Sequence, residues 1–457
     1  MQVKELKLTN CRGLINTAIP FKSGMNLIVG VNGAGKSTVL EAVSILLSQV
    51  LARMTKGIAP TPHGFELDDL SHGQNTLDAR LLFETAQGDA LQLNCIKQRK
   101  KVAEVIHARE EKTFRSGEEV ASSRKQTGAV KEGTELVYSS DGKPASVKLE
   151  ALPLFLLFSV DRSRPTYEKS KKLKKVHPAY AGALSSKRGF NINDIVEWWE
   201  SKEAVAIEDP KSSSARQIEF IKQALDELCP QFSNWHLVRD NEGIKEALDL
   251  WVDKTVETTI LDEKGKLVDS TKQQPLRVRQ LSDGERSIIA MVFDIARRLI
   301  LLNEKDEAPI KNGRGIVLID EIDLHLHPEW QRKIVTDLPR VFPNLQFIAT
   351  THSPQTIGET APGHVVILEE GGKVKIEPES LGRSSGWILR HIMGSSERNV
   401  ELKQGLKQID LLIDEDEYTK ARELIAKLRQ KFGDDPDLIG AEASVNRWEF
   451  ADDEENN

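Results

Sequence analysis

The chain has 457 residues, of which 39% are apolar, so two or three structural units with a substantial core are expected. Its net charge of −7 excludes a protein that binds nucleic acid through its overall charge, and we find no apolar run near the ~20 residues that a membrane span requires. Cys11, Cys95 and Cys229 lie far apart, which argues against a disulfide framework and predicts a reduced, cytoplasmic protein.

The first fifty residues predict a strand, a turn, a second strand, a glycine-rich loop and a helix. Leu6 and Leu8 would share one face of the first strand, and residues 26–29 form a short apolar strand. Residues 30–37, GVNGAGKS, follow that strand and precede an apolar helix. In this context the pattern GxxxxGK[ST] forms a Walker A loop, which binds the phosphates of a nucleotide.

The residue types in this loop suit ATP and Mg²⁺ as cofactors. Its glycines let backbone amides surround phosphate oxygens, and the helix N-terminus adds partial positive charge. The Lys36 ammonium would reach the β- and γ-phosphates, while the Ser37 hydroxyl would ligate Mg²⁺. The other residues of the loop that we predict to bind the nucleotide are Asn32, Gly33, Gly35 and Thr38.

A first lobe is predicted over residues 1–165. Antiparallel strands are expected near 77–84 and 89–96, and a strongly apolar strand, ALPLFLLFSV, at 151–160. The polar stretch 97–148 between them is rich in Lys, Glu, Ser and Gly, and we predict that it is a mobile excursion from the lobe.

Residues 166–275 are predicted to form an inserted, largely helical region. Helical sequence runs from about 191 to 228, and strand-like stretches lie near 235–239 and 255–261. The basic run KSKKLKK at 169–175 could contact phosphates, although solvated surface is the simpler interpretation.

A second lobe, residues 276–375, begins with LSDGE at 281–285, followed by an apolar helix. Ser282 can cap that helix, and Gly284 allows a backbone to approach a phosphate. Alone, this pattern is equally typical of an ordinary helix start.

The same lobe contains residues 316–321, IVLIDE. Four apolar residues predict a buried parallel strand whose carboxyl end presents two carboxylates, and α/β folds bind ligands at that edge. Asp320 would hold Mg²⁺, and Glu321 would act as general base on the attacking water.

The tail, residues 376–457, is predicted to be a small helical domain. Apolar residues recur at helical spacing on both sides of an acidic turn at 414–417, and Gly433 and Pro436 would end the second helix.

The order Walker A, LSDGE, IVLIDE and then IATTHSP resembles the ATPase head of ABC proteins of the SMC-like, DNA-repair branch. The resemblance implies an α/β P-loop fold, with a mixed sheet flanked by helices, that works as a homodimer or higher oligomer. It implies that Ser282 and Gly284 complete the site of the partner protomer, that Asp323 is the D-loop residue, and that His352 contacts the γ-phosphate. Arg12, in the opening NCRGL, would lie near the nucleotide.

Two points stay open at this stage. His325 and His327 could bind a metal, although their spacing suits a loop better than a helical zinc site. The glutamine of the Q-loop has no clear match, and Gln74, Gln98 and the strand end at 159–164, SVDRSR, are candidates.

Within this branch the chain resembles the stand-alone ATPases of Septu anti-phage systems, the PtuA family, which also accompany retrons. The similarity includes LPLFLLFSVDRSRP, NINDIVEWWE and the acidic helical hairpin. In that family the ATPase pairs with an HNH nuclease, PtuB, on a separate chain. The resemblance implies that this chain hydrolyses ATP, gates such a nuclease and has no nuclease activity itself. It also implies that any contact with nucleic acid is made through the partner, and that no membrane is involved.

Two alternative functions remain: a repair-type ATPase that binds DNA directly, and a nucleotide-sensing scaffold with little turnover. Salt-dependent DNA binding would favour the first, and ATP binding without phosphate release the second.

Overall fold

A computed structural model describes most of the chain as two compact units, Met1–Arg383 and Ser384–Asn457. The described residues are 1–55, 58–85, 88, 90–99, 133–138, 152–163, 176–186, 189, 192–240, 247–261, 267–396 and 398–455. Most of the predicted excursion at 97–148 and the basic run at 169–175 lie outside them.

The strands of the first unit form three sheets. In chain order they are β1 (Gln2–Cys11), β2 (Leu14–Pro20), β3 (Met25–Val29), β4 (Thr76–Glu84), β5 (Ala90–Gln98), β6 (Gly133–Tyr138), β7 (Leu154–Phe158), β8 (Phe232–Asp240), β9 (Ala247–Leu261), β10 (Leu267–Arg277), β11 (Gly315–Ile319), β12 (Leu345–Thr350), β13 (Val365–Leu368) and β14 (Val374–Glu377).

The helices of both units, also in chain order, are α1 (Lys36–Met54), α2 (Ile192–Glu208), α3 (Ser213–Leu228), α4 (Asp283–Leu302), α5 (Pro309–Asn312), α6 (Pro328–Val341), α7 (Pro354–Gly358), α8 (Ser385–His391), α9 (Val400–Asp414), α10 (Tyr418–Phe432) and α11 (Pro436–Glu455).

The central sheet has the order β14-β13-β3-β12-β11-β7. Its five strands from β13 to β7 pair in parallel, and β14 pairs antiparallel with β13. These parallel strands are buried throughout, as expected for strands that are covered on both faces. The predicted α/β fold with a mixed sheet flanked by helices is confirmed.

The second sheet is antiparallel, with the order β2-β1-β4-β5-β6. Buried and more exposed residues alternate along β4 and β5, so one face packs on the core and the other is more accessible. Helix α1 contacts strands of both sheets and contributes much of the shared core.

Contrary to the expectation from the sequence, one helix among the described residues, α1, is long and apolar enough to cross a membrane. Its core-facing residues are buried against the two sheets, so its apolar character is explained by packing.

The inserted region is less helical than predicted. Helices α2 and α3 are followed by a three-stranded antiparallel sheet with the order β10-β9-β8. The difference arises because β9 spans fifteen residues, well beyond the strand-like stretch near 255–261, and because β10 is largely polar and contains a proline. In α2, Trp199 is fully buried, and the Trp198 ring packs edge-on against Phe293 of α4 at 5.3 Å.

The second unit is helical, as predicted for the tail. Helices α9, α10 and α11 enclose an apolar cluster formed by Leu402, Ile409, Ala421, Ile425, Leu428, Leu438 and Val445. Helix α10 ends before Gly433, whose φ of +77° suits glycine, and α11 begins at Pro436.

Candidate active site

The candidate site lies at the carboxyl edge of the parallel sheet. The Walker A loop follows β3, the Asp320–Glu321 pair follows β11, and the segment with His352 follows β12. Because β3, β12 and β11 are adjacent and parallel, segments far apart in the sequence meet at one edge.

The Walker A loop depends on glycine at three positions. Gly33 and Gly35 have φ of +84° and +101°, in the left-handed region. A Cβ on Gly30 would lie 2.2 Å from the carbonyl oxygen of Leu368, so the loop packs directly on β13. Asn32 and Gly33 are exposed, as a loop that meets a ligand requires.

Lys36 begins α1 and is held by its own loop. Its Nζ donates to the carbonyl oxygens of Gly30 at 2.9 Å and Val31 at 3.0 Å. Burial lowers the pKa of the Lys36 ammonium, while the carboxylates of Asp320 and Glu321 act in the opposite direction. The ammonium is therefore ordered and close to the carboxylate pair. Beside it, Ser37 is exposed and Thr38 half-buried.

A threonine that we did not identify from the sequence connects the two halves of the site. Thr350 donates its hydroxyl to Oδ1 of Asp320 at 2.5 Å and accepts the backbone amide of Glu321 at 2.7 Å. The Ser37 hydroxyl lies 3.3 Å from the same Oδ1. The signal that the sequence offered was a threonine at the end of β12, the strand beside β11.

Arg162 is a second residue whose role we did not predict. Its guanidinium is 2% exposed and donates to the carbonyl oxygens of Asp320 and Glu321, the latter at 2.5 Å. It also reaches the Ser159 carbonyl at 3.2 Å, while its Nε has no partner among the described residues. Burial lowers its pKa to about 10, against the opposing effect of nearby carboxylates, Asp320 foremost.

Arg162 belongs to the segment that we considered for the Q-loop. This segment follows β7, the strand beside β11, and Arg164 lies outside the described residues. Gln98 ends β5 in the antiparallel sheet, and Gln74 lies in the turn that precedes β4 of the same sheet.

Asp323, the predicted D-loop residue, is hydrogen-bonded to the segment that carries His352, the predicted γ-phosphate contact. Oδ1 of Asp323 accepts the Thr351 hydroxyl at 2.6 Å and the backbone amide of His352 at 3.4 Å. His352 is half-buried, directly after β12. A displacement of Asp323 would therefore act on the His352 backbone.

The LSDGE sequence at 281–285, which corresponds to the signature sequence of ABC ATPases and is called so below, leads into α4. Ser282 is the N-cap: its Oγ accepts the Glu285 amide at 3.3 Å and donates to Oε2 of Glu285 at 2.9 Å. A Cβ on Gly284 would lie 2.3 Å from the His325 carbonyl oxygen. The start of α4 therefore packs on residues 321–327 of the same chain, the segment around Asp323 that is called the D-loop below. Ser282 is exposed, and these contacts of its Oγ lie within its own helix.

Arg12 is held by two carboxylates. Its guanidinium lies 2.6 Å from Glu41 and 2.9 Å from Asp69, and its backbone is left-handed, with φ of +49°. The side chain remains 43% exposed. Its predicted contact with nucleotide stays a prediction.

His325 and His327, which the sequence left open as possible metal ligands, lie in the D-loop and at the start of α6. Nδ1 of His327 accepts the Glu329 amide at 3.4 Å and so caps α6. His325 is exposed, with φ of +62°. Among the described residues, no group of three or more His, Cys, Asp or Glu side chains is arranged to bind a metal ion.

Comparison with known proteins gives one family and several relatives. Residues 25–358 match the family described as "AAA domain, putative AbiEii toxin, Type IV TA system". The chain is 27% identical over 504 residues to the "Retron Ec83 probable ATPase" of Escherichia coli, covering 99% of this chain and 88% of that protein. It is 23% identical over 439 residues to "Septu protein PtuA" of Bacillus thuringiensis, covering 93% of each.

Among solved structures, the chain is similar to an SMC head bound to the C-winged helix domain of ScpA. The TM-score is 0.40 and the identity 16%, over 82% of this chain and 97% of that one. The resemblance to Septu and retron ATPases that the sequence motifs predicted is confirmed by the relatives.

Proposed function

The chain belongs to the AAA-domain family that its residues 25–358 match, and from this premise we propose that it hydrolyses ATP as a dimer that encloses the nucleotide. One observation carries the proposal: the Ser37 hydroxyl lies 3.3 Å from Oδ1 of Asp320, although 283 positions separate them. A P-loop hydroxyl next to a carboxylate at a strand end is the donor pair that Mg-nucleotide sites of P-loop ATPases use.

Nucleotide binding rests on residues of the Walker A loop. The exposed loop and the N-terminus of α1 offer backbone amides to the phosphates, and Lys36 adds a positive charge. The Lys36 ammonium exchanges its two carbonyl partners for phosphate oxygens when ATP binds, because a charged acceptor forms the stronger hydrogen bond.

The residues present fit a magnesium ion. Ser37 and Asp320 supply the hydroxyl and carboxylate oxygens that Mg²⁺ prefers, and the Thr350 hydroxyl holds the carboxylate through the same Oδ1. When bound, the ion neutralises charge on the phosphates.

Hydrolysis is assigned to Glu321. Its carboxylate follows the Mg²⁺ ligand directly and accepts a proton from the water that attacks the γ-phosphate. Arg162 and Thr350 hold its backbone on both sides, so the carboxylate begins from a fixed position. His352 contacts the γ-phosphate, and its link to Asp323 connects this contact to the D-loop.

Ser282 and Gly284 complete the site of a second protomer. Ser282 is exposed at the positive end of α4, where a hydroxyl and backbone amides can receive phosphate oxygens of a nucleotide bound to another chain. Asp323 and Arg12 lie beside this interface in the proposed dimer.

The biological role that we propose is anti-phage defence in the bacterial cytoplasm. Relatives over nearly the whole chain are a retron ATPase and a Septu protein, which supports this role. In our proposal ATP-driven closure gates an HNH nuclease on a separate chain, and this chain cuts no nucleic acid itself.

The test compares the parent with Glu321→Gln and Lys36→Ala. We expect E321Q to bind ATP, lose nearly all phosphate release, and form a dimer in ATP that light scattering detects. K36A should neither bind nor dimerise. An E321Q protein that hydrolyses ATP at the parental rate contradicts the base assignment, and ATP binding without turnover in the parent indicates a sensing scaffold. Salt-sensitive DNA binding by the isolated chain indicates a repair-type ATPase.

A further inference from the structure

We propose that the inserted sheet positions the signature serine: Lys254 and Asp249 of β9 are positioning residues that hold the signature sequence from both sides. This inference rests on the proposed function, because it concerns the action of Ser282 on the nucleotide of a second protomer.

Two ion pairs carry the inference. Nζ of Lys254 lies 2.7 Å from Oε1 of Glu285, and Oδ1 of Asp249 lies 2.6 Å from Nε of Arg279. Arg279 precedes the signature sequence and Glu285 ends it, so one strand of the insertion holds the segment at both ends. The two carboxylates are 12% and 10% exposed, which limits screening by solvent.

Both cations are fixed by other elements of the inserted region. The Arg279 guanidinium also donates to the side chain of Asn193 in α2 at 2.6 Å. The Lys254 ammonium lies 5.9 Å from the centre of the Phe232 ring in β8. The inserted region therefore helps to fix the position of the signature sequence, which does not depend on α4 alone.

The hydrogen bonds of Glu285 show why this matters chemically. Oε2 of Glu285 accepts both the Ser282 hydroxyl at 2.9 Å and the Ser282 amide at 3.0 Å. A hydroxyl has one hydrogen to donate, so Ser282 must release Glu285 before it can donate to a phosphate. A carboxylate at this point also repels a triphosphate.

Lys254 opposes both effects. It neutralises the charge of Glu285, and it holds Oε1 when Oε2 gives up the serine hydroxyl. The ion pair thus lowers the free energy of closure on a second protomer's nucleotide, without contact with the Walker A loop of its own chain. A ligand or partner that displaced β9 would change closure by the same route.

The experiment measures ATP-dependent dimerisation of the full chain, in the E321Q background, by analytical ultracentrifugation. Binding of a fluorescent ATP analogue to the protomer is measured in parallel. For Lys254→Met we expect the dimer dissociation constant to rise about tenfold while nucleotide affinity stays within about twofold. Lys254→Arg should restore dimerisation. Lys272→Met, an exposed lysine on the adjacent β10, is the matched control and should change neither quantity.

Glu285→Gln shows whether Lys254 acts through the charge of Glu285 or only supports the local structure. With the charge removed, Lys254 has nothing to neutralise, so K254M should have no further effect on dimerisation in the E285Q background. The inference is overturned if K254M weakens dimerisation equally with and without E285Q. It is also overturned if K254M weakens nucleotide binding to the protomer as much as it weakens dimerisation. If the E321Q parent itself does not dimerise in ATP, the proposed function fails as well, which distinguishes the two failures.

Discussion

Nη2 of Arg162 donates a hydrogen bond of 2.5 Å to the backbone carbonyl of Glu321. Glu321 has a φ of +49°, a left-handed conformation that costs free energy for a residue other than glycine. The guanidinium also binds the preceding carbonyl, and the Thr350 hydroxyl receives the Glu321 amide. The unusual backbone of the proposed general base is thus held from both sides by residues on the two neighbouring strand ends.

Arg162→Lys should impair hydrolysis more than binding. Lysine keeps the charge but cannot bridge two carbonyls with one planar group, so the Glu321 carboxylate loses its fixed position. We expect kcat to fall about 100-fold, with the affinity for ATP nearly unchanged. Steady-state phosphate release and equilibrium nucleotide binding measure the two quantities.

Arg298→Lys is the matched control for this variant. Arg298 is 1% exposed and also donates to two backbone carbonyls, those of Ala179 and Ala181, but it belongs to the C-terminal part of α4. It should lower the melting temperature without the selective loss of kcat. Equal losses of kcat in both variants would mean that Arg162 contributes only to stability.

Thr350→Val should change the dependence on magnesium. Valine has nearly the same shape but leaves the Asp320 carboxylate without its 2.5 Å partner, so the proposed ligand is less well oriented. We expect the Mg²⁺ concentration for half-maximal hydrolysis to rise about tenfold. Thr360→Val, which removes another buried hydroxyl of the same unit, should leave the magnesium titration unchanged. A normal magnesium titration in T350V would contradict the role given to Thr350.

The Walker A loop, the strand before Asp320 and the C-terminal helices could be predicted because each is encoded by a continuous stretch of sequence. Residues 30–37 carry the phosphate loop between a strand and a helix, and the apolar run before Asp320 identifies a buried parallel strand. The C-terminal helices follow from their apolar periodicity, which the cluster around Ile409 and Ile425 confirms.

The roles of Arg162 and Thr350 could not be predicted in the same way. Their partners lie 159 and 30 positions away, and only the order of strands in the sheet brings them together. The extent of the inserted sheet could not be predicted for a different reason: β10, which pairs with β9, is largely polar and contains Pro275, and such sequences are untypical of strands.

Gly284→Ala tests the packing of the signature helix on the D-loop. The added Cβ would lie 2.3 Å from the His325 carbonyl oxygen, a backbone atom that cannot move alone, so α4 or the D-loop must shift. We expect a lower melting temperature and a loss of ATP hydrolysis. Gly440→Ala, in α11, meets nothing within 4 Å and should preserve hydrolysis. Parental activity in G284A would show that this contact is not needed.

The Lys254–Glu285 pair predicts a stability difference that depends on pH. Burial raises the pKa of the Glu285 carboxyl, but hydrogen bonds from Lys254 and Ser282 outweigh this effect, so the pKa lies below its ordinary value of 4.5. The folded protein therefore gains stability from the ionised carboxylate above pH 4.5 and loses that gain as the pH falls through the lower folded-state pKa.

Glu285→Gln removes this contribution. We expect E285Q to melt roughly 2 °C below the parent at neutral pH, and the difference to vanish as the pH falls below the lowered folded-state pKa of Glu285. Thermal scans of both proteins between about pH 3 and pH 8 measure it. Glu329→Gln is the control, since it removes an ion pair of 2.6 Å whose carboxylate is 67% exposed, and it should change the melting temperature less. A deficit of E285Q that stayed constant over this pH range would have to come from the altered N-cap of α4, because only the ionised carboxylate attracts Lys254.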